Sequence, residues 1–390
     1  MIIAKKVRLF PDQHQEQQLW KSAGTARFIY NWTLSRQQDN YEKGGKFLPD
    51  NELRKEITQL KKTEEYSWLK EVSNNIAKQA VKDACGAYKN FFKGMGYPKY
   101  KSRHKSTPTF YNDTHKLKVK ENLVLIEKVG WIRTKEQIPL DVCYTNPRVS
   151  FDGKYWYLSV GLEKSPISVE LTDESKGIDL GLTAIATCSD GKVYGNINKT
   201  RVIKKLEKRL HRLERSKARM YEANIKEKIY YQSGSKKGQL KSVTYIRPLG
   251  ECKNYQKVKQ EIKLIHRRLK NIRQNYVHQT TTAIVKTKPS RIVMETLNIK
   301  GMMKNKHLSK AIAEQKWYEF IRQIEYKSKL NGIEFVQVPR TYPSSKKCSR
   351  CGSIKKDLKL SDRIYSCEYC DLEIDRDYNA SLNLAHYKVA

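Results

Sequence analysis

Residues 348–380 read CSRCGSIKKDLKLSDRIYSCEYCDLEIDRDYNA, and this stretch decides how the rest of the chain is read. Cys348 and Cys351 form one Cys-x-x-Cys pair, and after fifteen intervening residues Cys367 and Cys370 form a second. Each such turn presents two thiolates, and two turns together satisfy one tetrahedral Zn²⁺ at about 2.3 Å per sulfur. Four residues further on, Asp375, Arg376 and Asp377 precede Tyr378, Asn379 and Ala380. A structural zinc beside clustered carboxylates, in a chain of net charge +36, points to metal-dependent chemistry on nucleic acid.

Working outward, the composition bounds the answer. The 390 residues suffice for two or three domains with their own cores. An apolar content of 38% with 10% aromatics reads as globular and strongly hydrophilic. The four remaining cysteines, Cys85, Cys143, Cys188 and Cys252, are isolated, which argues against a disulfide scaffold and for a reducing, cytoplasmic setting. No apolar run reaches the roughly 18 residues that a membrane span needs, and the first residues carry no signal-peptide pattern. Residues 201–300 hold 27 Lys and Arg against 7 Asp and Glu, whereas residues 151–200 hold 5 against 7 and residues 351–390 hold 6 against 7. A polyanion neutralises such basic stretches by counterion release; without one, self-repulsion on this scale opposes compactness.

The hydrophobic periods divide the chain. Residues 1–10 alternate like a strand. Helical runs follow Pro11-Asp12, one through Trp20 and a second through Leu34, with further helices near 51–62 and 73–92. A basic link, 93–106, leads to strand-like alternation over 108–170, where Asp152-Gly153 signals a hairpin turn. Residues 177–188 (GIDLGLTAIATC) read as one buried strand, followed by a turn and a second strand at Val193–Gly195. Helical stretches over 200–221 and 255–285 flank a polar segment, 222–254, that reads as an irregular loop. Buried strands return at 291–295 and 333–338, separated by a helix over 309–330, and a short helix covers 379–387. No GxxxxGK[ST] phosphate loop is present, which argues against ATP hydrolysis.

Asp179 lies among apolar residues in Gly177-Ile178-Asp179-Leu180-Gly181, and Glu295 ends Ile292-Val293-Met294-Glu295. A carboxylate on a buried strand is costly unless it is paired or binds a metal. Asp375 and Asp377 stand before a helix, where an N-terminal cap is the ordinary role of either. Three carboxylates from two strands and a helix start suit a pair of Mg²⁺ ions about 4 Å apart, activating water and stabilising the leaving oxygen of a phosphodiester. The eight histidines are scattered, with no paired metal motif.

The GIDLG strand, the later strand ending in Glu, and Asp375-Arg376-Asp377-Tyr378-Asn379-Ala380 resemble the three RuvC motifs of RNase H-like nucleases, with the cysteine pairs between the second and third. Together with Pro343-Ser344-Ser345-Lys346-Lys347 before Cys348, Leu297-Asn298-Ile299-Lys300-Gly301-Met302, Gly130-Trp131-Ile132-Arg133 and Tyr30-Asn31-Trp32, they make nearly the whole chain similar to TnpB, the RNA-guided nuclease of insertion sequences and relative of compact type V CRISPR effectors. The resemblance implies a mixed α/β and β multidomain architecture. Its parts are a β-barrel from residues 1–10 plus 108–172, a helical recognition block over 11–107, a RuvC-like domain over 173–342 plus 371–390, and a zinc ribbon over 343–370. It implies catalytic, Mg²⁺-binding Asp179, Glu295 and Asp377, with one residue between the third Asp and the Asn-Ala pair, and leaves Asp375 as a cap. Thr296 departs from the acid or amide usual after the catalytic Glu. The zinc ligands are Cys348, Cys351, Cys367 and Cys370. Asn75 and Gln79 align with duplex-reading positions, where an amide pairs with adenine. The 200–285 region would line the guide–target heteroduplex, with sequence read by base pairing. The implied partners are a guide RNA and double-stranded target DNA, bound by a monomer. A strand-transfer transposase, a nuclease-inactive RNA-guided regulator and a small CRISPR effector are the alternatives.

Overall fold

The computed structural model describes residues 1–388 apart from 141, 236 and 360. Leu360 of the expected ribbon and residues 389–390 of the expected C-terminal segment lie outside the described residues. The chain forms two compact units, Met1–Lys164 and Ser165–Ala390. Among the described residues no helix is long and apolar enough to cross a membrane.

The first unit opens with strand β1 (Ile2–Phe10), followed by helices α1 (Gln13–Glu42), α2 (Asp50–Leu60) and α3 (Asn74–Phe92). Strands β2 (Thr109–Tyr111), β3 (Lys118–Lys120), β4 (Leu123–Ile126), β5 (Gly130–Thr134), β6 (Tyr144–Phe151) and β7 (Trp156–Glu163) complete it. The seven strands form one antiparallel sheet in the order β2-β6-β7-β1-β5-β4-β3, so β1 returns to the middle of a sheet made otherwise after the helices. Its ladder ends at β2 and β3, with no pairing between them among the described residues. Alternate residues of the central strands, among them Val7, Leu9, Ile132, Val149 and Leu158, fill its core. Asp12 caps α1, accepting from the Gln15 amide while the Gln15 side chain accepts from the Asp12 amide. The two expected helical runs are one 30-residue helix, because Gly24 alone is a weak breaker and Ala23, Thr25 and Ala26 between them are buried.

In the second unit, β8 (Thr172–Asp179), β9 (Ala184–Cys188), β10 (Val193–Gly195), β13 (Pro289–Glu295) and β14 (Glu334–Val338) form a mixed sheet ordered β10-β9-β8-β13-β14. β10, β9 and β8 run antiparallel, and β8, β13 and β14 run parallel. The expected single strand over 177–188 is therefore two: the chain reverses over 180–183 and Ile178 pairs with Cys188.

Helix α4 (Arg201–Ala223), a hairpin of β11 (Ile225–Tyr230) and β12 (Leu240–Tyr245), and helix α5 (Lys253–Val285) intervene before β13. The polar 222–254 segment is thus ordered by a strand ladder rather than irregular. Its Lys/Tyr/Ser composition hid a pairing that backbone hydrogen bonds supply. Helices α6 (Ile299–Met302), α7 (Ser309–Gln315) and α8 (Trp317–Leu330) follow β13. The expected helix over 309–330 is broken at Lys316, whose φ of 56° is left-handed and ends α7. The chain closes with the short pair β15 (Ile364–Ser366) and β16 (Glu373–Asp375) and helix α9 (Arg376–Ala385).

The pleat of β13 sorts the layers. Ile292 and Met294 join Ile284, Trp317, Phe320 and Ile324 of α5 and α8 in one core, whereas Val293 packs with Val338 and Leu384 of α9. Glu295, two residues beyond Val293, belongs to the α9 face.

Candidate active site and metal centre

β8 and β13 run parallel with Met294 opposite Ile178, so the next step of each strand places Glu295 beside Asp179 at adjacent C-terminal ends. Asp179 shares a face with Gly177, and α9 lies directly on Gly177. A Cβ there would collide with the Ser381 carbonyl oxygen and stand 2.5 Å from the Ala385 nitrogen. The missing side chain lets the helix approach, and its first turn carries Asp377 to the same edge. A Cβ on Gly181 would stand 3.8 Å from Asp377 Oδ2, so the reversal after β8 also borders that carboxylate. Asp375 is the N-cap of α9, accepting from the Tyr378 amide at 2.9 Å. Thr296, just after Glu295, donates to the Val338 carbonyl at 2.6 Å and ties β13 to β14.

The three acids act on one another. Burial, then the negative charges of Glu295 and Asp377, push the Asp179 carboxyl well above the usual range, and Arg376 opposes the shift. Burial and the Asp377 charge push Glu295 up to about 7. Arg376 and Arg363 stand 3.5 and 3.9 Å from the Asp377 oxygens. Two buried acids whose proton affinity is raised, beside the negative charge of Asp377, form a set of hard oxygen donors whose electrostatics favour a bound cation and whose chemistry fits Mg²⁺. Their oxygens are spread more widely than the cysteine sulfurs, which are the group among the described residues with ligand atoms all within 4.8 Å of one another.

That second group joins Cys348, Cys351, Cys367 and Cys370. Cys348 Sγ lies 3.6 Å from Cys370 Sγ, and Cys351 Sγ lies 3.5 Å from Cys367 Sγ. A tetrahedron with about 2.3 Å arms has edges of roughly 3.8 Å, so the spacing fits one Zn²⁺. The Ser353 hydroxyl, 3.2 Å from Cys367 Sγ, together with backbone N–H groups, lowers the Cys367 thiol to about 6, which favours the thiolate that metals require.

Two asparagines join the cysteine knuckle to α9. Asn379, fully buried, donates to the Lys347 carbonyl at 2.8 Å and accepts from the Ser349 amide at 3.0 Å, bracketing Cys348. Asn383 donates to the Ser344 and Lys347 carbonyls at 2.8 and 2.6 Å. Sequence reasoning used Asn379 only as a motif marker and passed over Asn383. The signal was their spacing of four, which puts both amides on one helix face.

Asn75 and Gln79 lie one turn apart on α3, half-buried and away from these groups in sequence and unit. Asn75 donates to Glu127 at 3.3 Å. Gln79 donates at 2.9 Å to Asp83, which also holds Arg148 by a two-pronged ion pair at 2.6 and 2.9 Å. Gln79 lines a small cavity of mixed character, with Asp83, Lys101 and Arg148 on one hand and Ile76 and Phe110 on the other. Each amide nitrogen thus gives one of its two hydrogens to an acidic partner.

Three family models match the chain: a "Helix-turn-helix domain" over residues 1–46, a "Probable transposase" over 159–306, and "Cas12f1-like, TNB domain" over 317–384. In this chain residues 1–46 hold strand β1 and the single helix α1. The chain is 30% identical over 399 residues to "Putative RNA-guided DNA endonuclease InsQ" of Escherichia coli K12, covering 98% of this chain and 91% of that protein. A protein of the same general description from Streptomyces pristinaespiralis is 28% identical, covering 98% and 88%. Among solved structures, "Cryo-EM structure of the Cas12f1-sgRNA-target DNA complex" contains a chain with a TM-score of 0.53 and 15% identity, covering 96% of this chain and 82% of that one. That is a likeness of fold.

Proposed function

The chain belongs to the TnpB family of RNA-guided DNA endonucleases, and from that premise we propose that Asp179, Glu295 and Asp377 are its cutting site. The observation that carries this is the meeting of three acids from β8, β13 and α9 at one sheet edge, with Asp179 raised by burial and the charges of Glu295 and Asp377, and Glu295 by burial and the charge of Asp377. The strand order β10-β9-β8-β13-β14, antiparallel then parallel, supports an RNase H-like (RuvC) reading of residues 173–342 plus 371–390. Residues 343–370 are the zinc ribbon, 1–10 plus 108–172 the wedge-like barrel and 11–107 the recognition block.

Asp179, Glu295 and Asp377 would hold Mg²⁺, which when bound would supply Lewis-acid activation of water and charge stabilisation at the phosphodiester. The protein's own part is positional. The parallel pairing of β8 and β13 fixes Asp179 against Glu295, and Gly177 sets the closeness of α9 and hence of Asp377. Glu295 must give up its proton before it serves as a ligand, so the apo site resists filling at acidic pH. Cys348, Cys351, Cys367 and Cys370 would close all four positions of Zn²⁺, leaving none for water, so that metal is scaffold. The partners are a guide RNA and double-stranded DNA beside a short motif, met by a cytoplasmic monomer. Asn75 and Gln79 read that motif through the amide groups they present beside Glu127 and Asp83.

The test is incubation of the protein and its copurified RNA with Mg²⁺ and matched or unmatched DNA. Cleavage confined to matched DNA, and reduced about 10²–10³-fold or more by Asp179→Ala or Glu295→Gln, is the expected result. Strand joining without RNA would instead make the protein a transposase, and guided binding without cutting a regulator.

A further inference from the structure

The hairpin β11–β12 stands apart from every hydrophobic core of its unit: among the described residues of 225–246 none is buried. Isolated two-stranded ribbons are marginal in water, yet this one exposes Tyr230, Leu240 and Ile246 by 45%, 50% and 62%. Its root is fastened. Tyr221 of α4 meets Tyr245 edge to face with their hydroxyls 3.0 Å apart, Lys228 pairs with Glu222 at 2.8 Å, and the Asn224 side chain bonds the backbone of Arg247 in both directions. Beyond that root none of the ribbon's described residues belongs to a hydrophobic core.

Its charge identifies what does. Residues 225–247 carry six Lys and Arg against one Glu, and the flanking helices α4 and α5 carry nine against three and eight against one. Lys228 is answered by Glu222, leaving Lys226, Lys237 and Lys241 as exposed positive charges along the ribbon. Irregularities at Ile225/Glu227 and Ile229/Tyr230 strengthen its right-handed twist. A two-stranded ribbon fits the major groove of B-form DNA, about 12 Å wide, whereas the corresponding groove of A-form RNA or of an RNA–DNA hybrid is too deep and narrow for side chains to read.

We propose that β11–β12 is a groove-binding ribbon that docks into the major groove of B-form duplex DNA, with Lys226, Lys237 and Lys241 on the phosphate walls and Tyr230 and Leu240 against base edges. It rests on the nuclease reading only in that duplex DNA is a partner of the chain. The full-length protein with its copurified RNA is titrated, by fluorescence anisotropy over a salt series without Mg²⁺, against a DNA duplex unrelated to the guide and an RNA duplex of the same sequence. The triple variant Lys226→Ala, Lys237→Ala, Lys241→Ala is compared with the corresponding triple Lys→Arg variant, and thermal melting checks that each is folded.

The expected result is DNA affinity about tenfold or more weaker for the alanine variant at 150 mM salt, with a log–log salt slope shallower by about 0.9 for each phosphate that is no longer neutralised. RNA-duplex affinity and guide retention stay unchanged, and the arginine variant restores DNA binding. Unchanged DNA affinity overturns the proposal, as does an equal weakening on both duplexes or a weakening confined to RNA. Because this assay reads neither guide matching nor cleavage, the ribbon and the cutting site stand or fall separately.

Discussion

Gly177 shows how one absent side chain governs a site it never touches chemically. Gly177→Ala forces α9 off β8, because the new methyl meets backbone rather than a yielding side chain. The expected cost is about 1–3 kcal/mol in denaturant unfolding, with loss of cleavage as Asp377 is displaced. Glu295 carries a different cost. Its folded value of about 7 lies above the ordinary 4.5, so between those values the native chain holds a proton that the unfolded chain has released. The protonated site is most stable below about pH 4.5, and that stability is lost as pH rises through 7. Glu295→Gln removes the burdened charge. In Mg²⁺-free buffer without chelator it should raise the melting temperature at pH 8 by about 4 °C or more, leave it nearly unchanged at pH 4.5, and abolish cleavage. An equal shift at both pH values would show that charge burial is not the cause.

At the scale of elements, α9 serves two masters, presenting Asp377 from its first turn and holding the cysteine knuckle through Asn379 and Asn383. Asn379→Ala leaves the Ser349 amide unsatisfied and takes one donor from the Lys347 carbonyl, costing about 1–3 kcal/mol. Zinc release to a chromogenic chelator should quicken, and Cys348→Ser should go further and lower stability and cleavage together. Unaltered zinc release in Asn379→Ala would mean that the two amides do not clamp the knuckle.

These elements also mark what the sequence could and could not disclose. Asp179 and Glu295 were legible because a carboxylate within or at the end of an apolar stretch stands out, and the cysteines because their spacing is that of a metal knuckle. The reversal at 180–183, the break at Lys316 and the ribbon β11–β12 were not. Each is set by backbone geometry or hydrogen bonding, which neither apolar periodicity nor composition encodes. The spacing of Asn379 and Asn383 placed them on one helix face, but their backbone partners, the Lys347 and Ser344 carbonyls and the Ser349 amide, are not encoded in any side-chain pattern.

For the molecule as a whole, a net charge of +36 sets the conditions under which it works. The positive excess is concentrated over residues 201–300, a stretch that also holds Glu295, while the windows holding Asp179 and Asp377 are slightly acidic. Nucleic-acid affinity should therefore fall by about 10³ or more between 50 and 200 mM salt if some six or more phosphates are neutralised; a flat response in filter binding would contradict a basic binding surface. The order of the three acids along the chain adds a consequence in time. Asp179 and Glu295 leave the ribosome well before Asp377, and at about 5–20 residues per second the stretch from 179 to 377 takes roughly 10–40 s to synthesise. Throughout the later part of that interval the nascent chain already carries α4 and α5 with their cationic surfaces but no third carboxylate. Translation thus completes the basic stretch of α4 and α5 before Asp377 is made, so the three acids can meet only after that stretch exists.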